Sequence, residues 1–99
     1  MEGSPRMINI IKFVNARRQV IFIPSKNRVK LPVLQYLAAK TEPERDYTER
    51  EVTALLSGWL SGPDPDVARR LLIDEGLLAR TIDGARYWRR PFDENWSIH

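Results

Sequence analysis

The chain contains no cysteine, a single histidine at its last position and only five glycines, none of them in a phosphate-cradling loop. The missing cysteines exclude disulfides and thiolate metal ligands. One histidine, His99, leaves nothing from which to assemble a Ser-His-Asp or zinc constellation. Carboxylates are abundant, but Glu49 and Glu51 stand two residues apart, a spacing that keeps them off a common helix face and out of a shared acid–base site. No catalytic residue, metal ligand or cofactor site is therefore expected, and the chain is not read as an enzyme. No apolar run approaches the about 18 residues that cross a bilayer, so no membrane partner is expected. The opening MEGSPR has no apolar core of the secretory type. A cytoplasmic protein is expected.

What is present is 99 residues, enough for one small domain built on a single core. Its net charge of +3 is modest, but the distribution is uneven. Residues 1 to 41 carry Arg6, Lys12, Arg17, Arg18, Lys26, Arg28, Lys30 and Lys40 against Glu2 alone. Residues 42 to 76 reverse the balance, with nine acids facing Arg45, Arg50, Arg69 and Arg70. A basic first part attracts phosphate, while an acidic middle offers it an internal target; both readings follow from the same pattern.

Met7, Ile10, Ile11 and Val14 recur at i, i+3, i+4 and i+7, which predicts a short amphipathic helix at the start. Val20 to Ile23, closed by Pro24, reads as a short strand. Pro32 is best accommodated in a first turn, so a helix is predicted from near Leu31, with Leu34, Leu37 and Ala38 facing the core. Thr48 and Glu51 have capping-box spacing, and Val52, Leu55, Leu56 and Trp59 follow on one face. Asp64-Pro65 starts a further helix over about 65 to 75, stopped by Gly76, with Val67, Ala68, Leu71 and Leu72 inward. LLARTI and ARYWRR flank Asp83-Gly84, which predicts a hairpin with a type I′ turn, and strand alternation sends Tyr87 and Trp88 to opposite faces. The expected fold is α+β and winged-helix-like: three helices and a C-terminal β-hairpin, preceded by a short strand and an extra N-terminal helix. The chain reads as a single domain over 1–99. Residues 1–19 hold the first helix and turn, 20–90 the core, and 91–99 a tail in which Pro91, Phe92 and Trp96 could fold back.

The segments IPSK (23–26), LQYLA (34–38), YTEREV (47–52), the Arg69-Arg70 pair, Gly76-Leu77-Leu78 and Tyr87-Trp88-Arg89, in that order, resemble the family filed as domain of unknown function 2087. The resemblance covers about residues 20 to 90. Two positions depart from the family pattern: Thr53 stands where asparagine is common after Glu-Val, and Ala68 where leucine commonly precedes the arginine pair. The resemblance implies a small winged-helix-like module, found in many relatives behind the DNA-binding domain of bacterial regulators similar to arsenic-sensing or mercury-sensing repressors.

Three groups of side chains are candidates for function. The leading segment Arg17, Arg18, Lys26, Arg28 and Lys30 has no neighbouring acid in sequence and is the best phosphate candidate, the alternative being a solvated loop. Arg86, Arg89 and Arg90 on the wing could reach a groove or phosphates, or could be solvated beside a packed aromatic ring. Arg69 and Arg70 are surrounded by Asp64, Asp66, Asp74 and Glu75, which favours a structural ion pair, with Glu51 as the expected carboxylate. The leading expectation is transcription regulation with weak nucleic-acid binding through the leading segment and wing. The alternative is a protein-interaction or dimerisation module that binds no nucleic acid.

Overall fold

The computed structural model describes residues 10–90. Thr48 sets the best-defined local boundary: its Oγ1 accepts from the Glu51 amide at 3.0 Å, while Glu51 Oε1 accepts from the Thr48 amide at 2.9 Å. That reciprocal box satisfies two amides that have no partner inside a helix, and the helix runs Glu49–Gly58. Asp64 does the same for the helix Pro65–Asp74, accepting from the Asp66 amide at 2.8 Å, with Pro65 in the first turn. At its far end the amides of Gly76 and Leu77 return to the carbonyls of Ile73 and Leu72, a Schellman stop that needs the left-handed backbone of Gly76 at φ 75°.

The first helix, α1, spans Asn27–Ala38 and so begins four residues before the position predicted from Pro32. Pro32 lies inside it. The proline deprives Arg28 of one ladder bond, a local loss that the buried Pro32, Val33, Leu34, Leu37 and Ala38 offset by packing. Helices α2 (Glu49–Gly58) and α3 (Pro65–Asp74) follow.

Strands β1 (Asp46–Tyr47), β2 (Leu78–Arg80) and β3 (Tyr87–Arg89) form one antiparallel sheet in the order β1-β3-β2. The hairpin was expected; the third strand was not. Leu78 faces Arg89, Ala79 faces Trp88 and Arg80 faces Tyr87, while Asp46 and Tyr47 pair with Trp88 and Tyr87 on the other edge. Tyr87 is buried and Trp88 only half-buried, as opposite faces require.

The Asp83-Gly84 turn is not of type I′. The Gly84 amide returns to the Thr81 carbonyl at 3.0 Å, Gly84 has φ 74°, and Asp83 lies outside the left-handed region that a type I′ turn demands. The glycine thus closes a turn over Ile82 and Asp83. Thr81 Oγ1 stiffens it by donating to Asp83 Oδ1 at 2.7 Å and accepting from the Ala85 amide at 3.0 Å.

Three further expectations are corrected. Val20 to Ile23 form no strand: Val20 bridges Val14 on one side and Leu60 on the other, and the pairing stops there with Ile21 and Phe22 exposed. The segment after α2 supplies only two bonds, Val20 N–H to the Trp59 carbonyl and Ser61 N–H to the Val20 carbonyl, both 2.8 Å. Met7 lies outside the described residues; within them Ile11–Phe13 make a single 3-10 turn, and Val14 is extended to reach Val20. Val67 is exposed, because α3 is rotated to bury Ala68, Arg69 and Leu72. The tail 91–99 is outside the described residues. Among the described residues no helix is long and apolar enough to cross a membrane.

The core unites Leu34 and Leu37 of α1, Val52 and Leu56 of α2, Leu72 of α3, and Leu78 and Tyr87 of the sheet. Leu72→Ala is expected to cost about 2–5 kcal/mol, since it opens a cavity among these groups. Thr48→Ala is expected to cost about 1 kcal/mol through the lost cap. Urea denaturation followed by circular dichroism measures both; comparable losses at the two positions would contradict this packing.

Candidate functional site

Arg69, although charged, is buried in the body of the domain. Its Nη1 donates to Asp66 Oδ1 and to Thr53 Oγ1, each at 2.7 Å, while Nη2 lies 3.4 Å from Glu49 Oε2. The guanidinium also lies 5.9 Å from the Tyr87 ring centre. Burial works against its charge, but the hydrogen bond to Asp66 and the charges of Glu49 and Asp66 outweigh that, and its pKa is raised. The expected structural pair is thus real for Arg69 and wrong in its partners. Glu51 turns back onto the Thr48 amide and is not a partner, because its position three residues past the cap aims it there. Arg70, the next residue round the helix, is exposed. Thr53 supplies the hydroxyl acceptor.

The hairpin arginines are less available than their number implies. Arg86 Nη1 lies 3.2 Å from Asp46 Oδ2, across the sheet. Arg80 Nη1 folds back onto the carbonyls of Thr81 and Ile82, at 3.2 and 3.3 Å. Arg89 is half-buried and Arg90 is exposed, its guanidinium passing over Gly76. At the tip, Ile82 is fully exposed. Asp83 beside it has its pKa lowered, first by the Thr81 hydroxyl and then by the Ala85 amide.

The leading segment differs. Arg17, Arg18, Lys26 and Arg28 are all exposed, and no carboxylate pairs with them among the described residues. Lys30 is the exception, 3.5 Å from Glu75 of the α3 end. The four do not form one patch. The Tyr36 hydroxyl donates to the Arg18 carbonyl at 2.6 Å, which ties Arg17 and Arg18 to the last turns of α1. Lys26 and Arg28 sit at its beginning. From Arg28 to Tyr36 the helix rises about 12 Å, so α1 carries a basic group near each end.

Two features had gone unread in the sequence. Lys40 stacks its ammonium 4.4 Å from the Tyr36 ring centre and 4.0 Å from that of Trp59. The i, i+4 spacing of Tyr36 and Lys40 was the available signal. The second is a cleft of about 550 Å³ bordered by Ile21, Phe22, Lys30, Val67 and Leu71, where the failed strand leaves its apolar side chains open. Among the described residues no three His, Cys, Asp or Glu side chains cluster as metal ligands.

The family whose profile matches residues 19–89 is described as "Uncharacterized protein conserved in bacteria (DUF2087)", and the chain belongs to it. No curated protein and no solved structure gives a significant match.

Arg69→Ala is expected to destabilise the fold by about 1–3 kcal/mol, because it removes a buried guanidinium that ties α2 to α3 and leaves the half-buried Thr53 hydroxyl without that donor. Arg70→Ala should stay within about 0.5 kcal/mol of the parent. Denaturant midpoints compare them; equal effects would refute the assignment. In the hairpin turn, Asp83 favours the folded state above its ordinary carboxyl range, and that contribution is lost as pH falls through its lowered pKa. The Ala85 amide shift, followed by NMR, should titrate with a midpoint below 3.8 and move back toward that value in Thr81→Ala. A parent midpoint at or above 3.8 would contradict the Thr81 bond.

Proposed function

We propose that this chain is a winged-helix-like module of bacterial transcription regulation, acting in the cytoplasm, that binds nucleic acid weakly through its phosphates. The element order α1-β1-α2-α3-β2-β3, with β1 laid against β3, supports the winged-helix reading. One observation carries the binding reading: Arg17, Arg18, Lys26 and Arg28 are exposed and without carboxylate partners, whereas Arg69, Lys30 and Arg86 are engaged. Phosphate contacts position a protein on nucleic acid without reading its sequence. Base readout by α3 is disfavoured, since Asp64, Asp66, Asp74 and Glu75 surround its only exposed arginine, Arg70. The wing contributes at most Arg90.

A second reading, a protein-interaction module, is favoured by the cleft. Exposed Ile21, Phe22 and Val67 form an apolar surface there.

Fluorescence anisotropy of a labelled random-sequence duplex, titrated at several salt concentrations, separates the two. The phosphate reading predicts binding that falls with salt at a log–log slope of about −3 to −4, as about four contacts require. Replacing Arg17, Arg18, Lys26 and Arg28 by glutamine should weaken it at least tenfold, while Arg86→Gln has little effect. Absence of binding at low salt, with mass that grows with concentration, would favour the interaction module instead.

A further inference from the structure

The turn from Asn15 to Gln19 is held more firmly than an idle surface loop requires. Asn15 Oδ1 accepts from the amides of Arg17 and Gln19, both at 2.9 Å, and the Asn15 carbonyl accepts from the Arg18 amide at 2.9 Å. Two contacts then anchor the turn to distant helices. Gln19 Nε2 donates to the Gly58 carbonyl at the end of α2, at 3.2 Å, and the Tyr36 hydroxyl of α1 holds the Arg18 carbonyl. The result fixes Arg18 at φ 68°, in the left-handed region where side chains with a Cβ are strained.

Lys40 lies beside this turn. Its ammonium rests against the Trp59 and Tyr36 rings, and the charge of Arg18 is felt at both Lys40 and the Tyr36 hydroxyl. Burial first, and Arg18 second, lower the pKa of Lys40. Among the described residues neither cation has a carboxylate partner. Tyr36 joins the two residues: its hydroxyl holds the Arg18 carbonyl at 2.6 Å and its ring carries the Lys40 ammonium at 4.4 Å, so one cation on strained backbone stands near another drawn partly out of water. The mutual repulsion of like charges opposes folding locally, and a bound anion reverses its sign.

We propose that Arg18 and Lys40 form a phosphate site, gripping one phosphate group between guanidinium and ammonium, with Trp59 beneath and Arg17 at the rim. This rests on the nucleic-acid reading above and names the residues of one of its contacts. Arg18 supplies the planar fork that suits phosphate oxygens, and Lys40 a compact point charge. The ends of α1 and α2 bring partial negative charge close by, which works against any anion and keeps the affinity of the site low. A backbone phosphodiester and a free pyrophosphate offer the same chemistry.

The test is a ¹⁵N NMR titration of the full chain, at constant ionic strength, with sodium pyrophosphate and separately with a 12-base-pair duplex. Saturable shifts at the Arg18 side chain, the Lys40 amide and the Trp59 indole are expected with both. Arg18→Gly should retain the parent's thermal stability or exceed it, because glycine suits the left-handed backbone, while its pyrophosphate affinity falls at least tenfold. Lys40→Met should lose a comparable factor. A pyrophosphate response without a duplex response keeps the site and overturns nucleic-acid binding. Duplex binding that Arg18→Gly leaves unchanged keeps nucleic-acid binding and overturns the site. Uniform, unsaturated shifts across all lysines also overturn it.

Discussion

The guanidinium of Arg69 is the contact on which the C-terminal two-thirds of the domain depends. It touches Glu49 and Thr53 of α2, Asp66 of its own helix and the face of Tyr87 in β3, so one side chain fixes the relation of two helices and a sheet. A planar group with several donors in fixed directions specifies such a crossing better than apolar contact alone, which tolerates sliding. The same contact has a functional consequence. It commits the best-placed positive charge of α3 to the interior and leaves acids on that helix's surface, so under the proposed winged-helix reading the helix that would face bases serves structure instead.

Charge is therefore divided along the chain by use. The acidic middle neutralises Arg69 from within and Arg45, Arg86 and Lys30 at the surface. Among the described residues, Arg17, Arg18, Lys26 and Arg28 keep no carboxylate partner and stand at the two ends of α1, while Arg50, Arg70 and Arg90 are likewise unpaired elsewhere. A short helix flanked by basic groups offers contact to a polyanion without a sequence-reading surface, which is why the proposed binding is weak and sequence-independent.

The helices of this fold were legible because their boundaries are chemical and local. Thr48-x-x-Glu51, Asp64-Pro65 and Gly76 each satisfy or stop backbone hydrogen bonds within a few residues, so sequence spacing alone located α2 and α3. The strands were less legible because their pairing is not local. Val20 to Ile23 has strand composition but finds a partner for Val20 only, whereas Asp46-Tyr47 has almost no strand signature and pairs because β3 lies beside it. The carboxylate expected for Arg69 was misplaced for a different, local reason: the capping-box spacing already commits Glu51 to the Thr48 amide, and Glu49 is the acid of that turn that meets Arg69. In the candidate site, exposure of Arg17, Arg18, Lys26 and Arg28 followed the sequence pattern. The Lys30–Glu75 and Arg86–Asp46 pairs join residues 45 and 40 positions apart and required the fold.

The claim that nucleic acid meets the ends of α1, and neither α3 nor the wing, is tested most directly by site-specific photocrosslinking. A photoreactive residue would be placed in turn at positions 17, 28, 70 and 82 and irradiated with a labelled duplex at low salt. Crosslinks from 17 and 28, with little from 70 and 82, are the predicted result. Crosslinking chiefly from 70 or 82 would mean that α3 or the wing faces the duplex, and would contradict the division of charge on which this account rests.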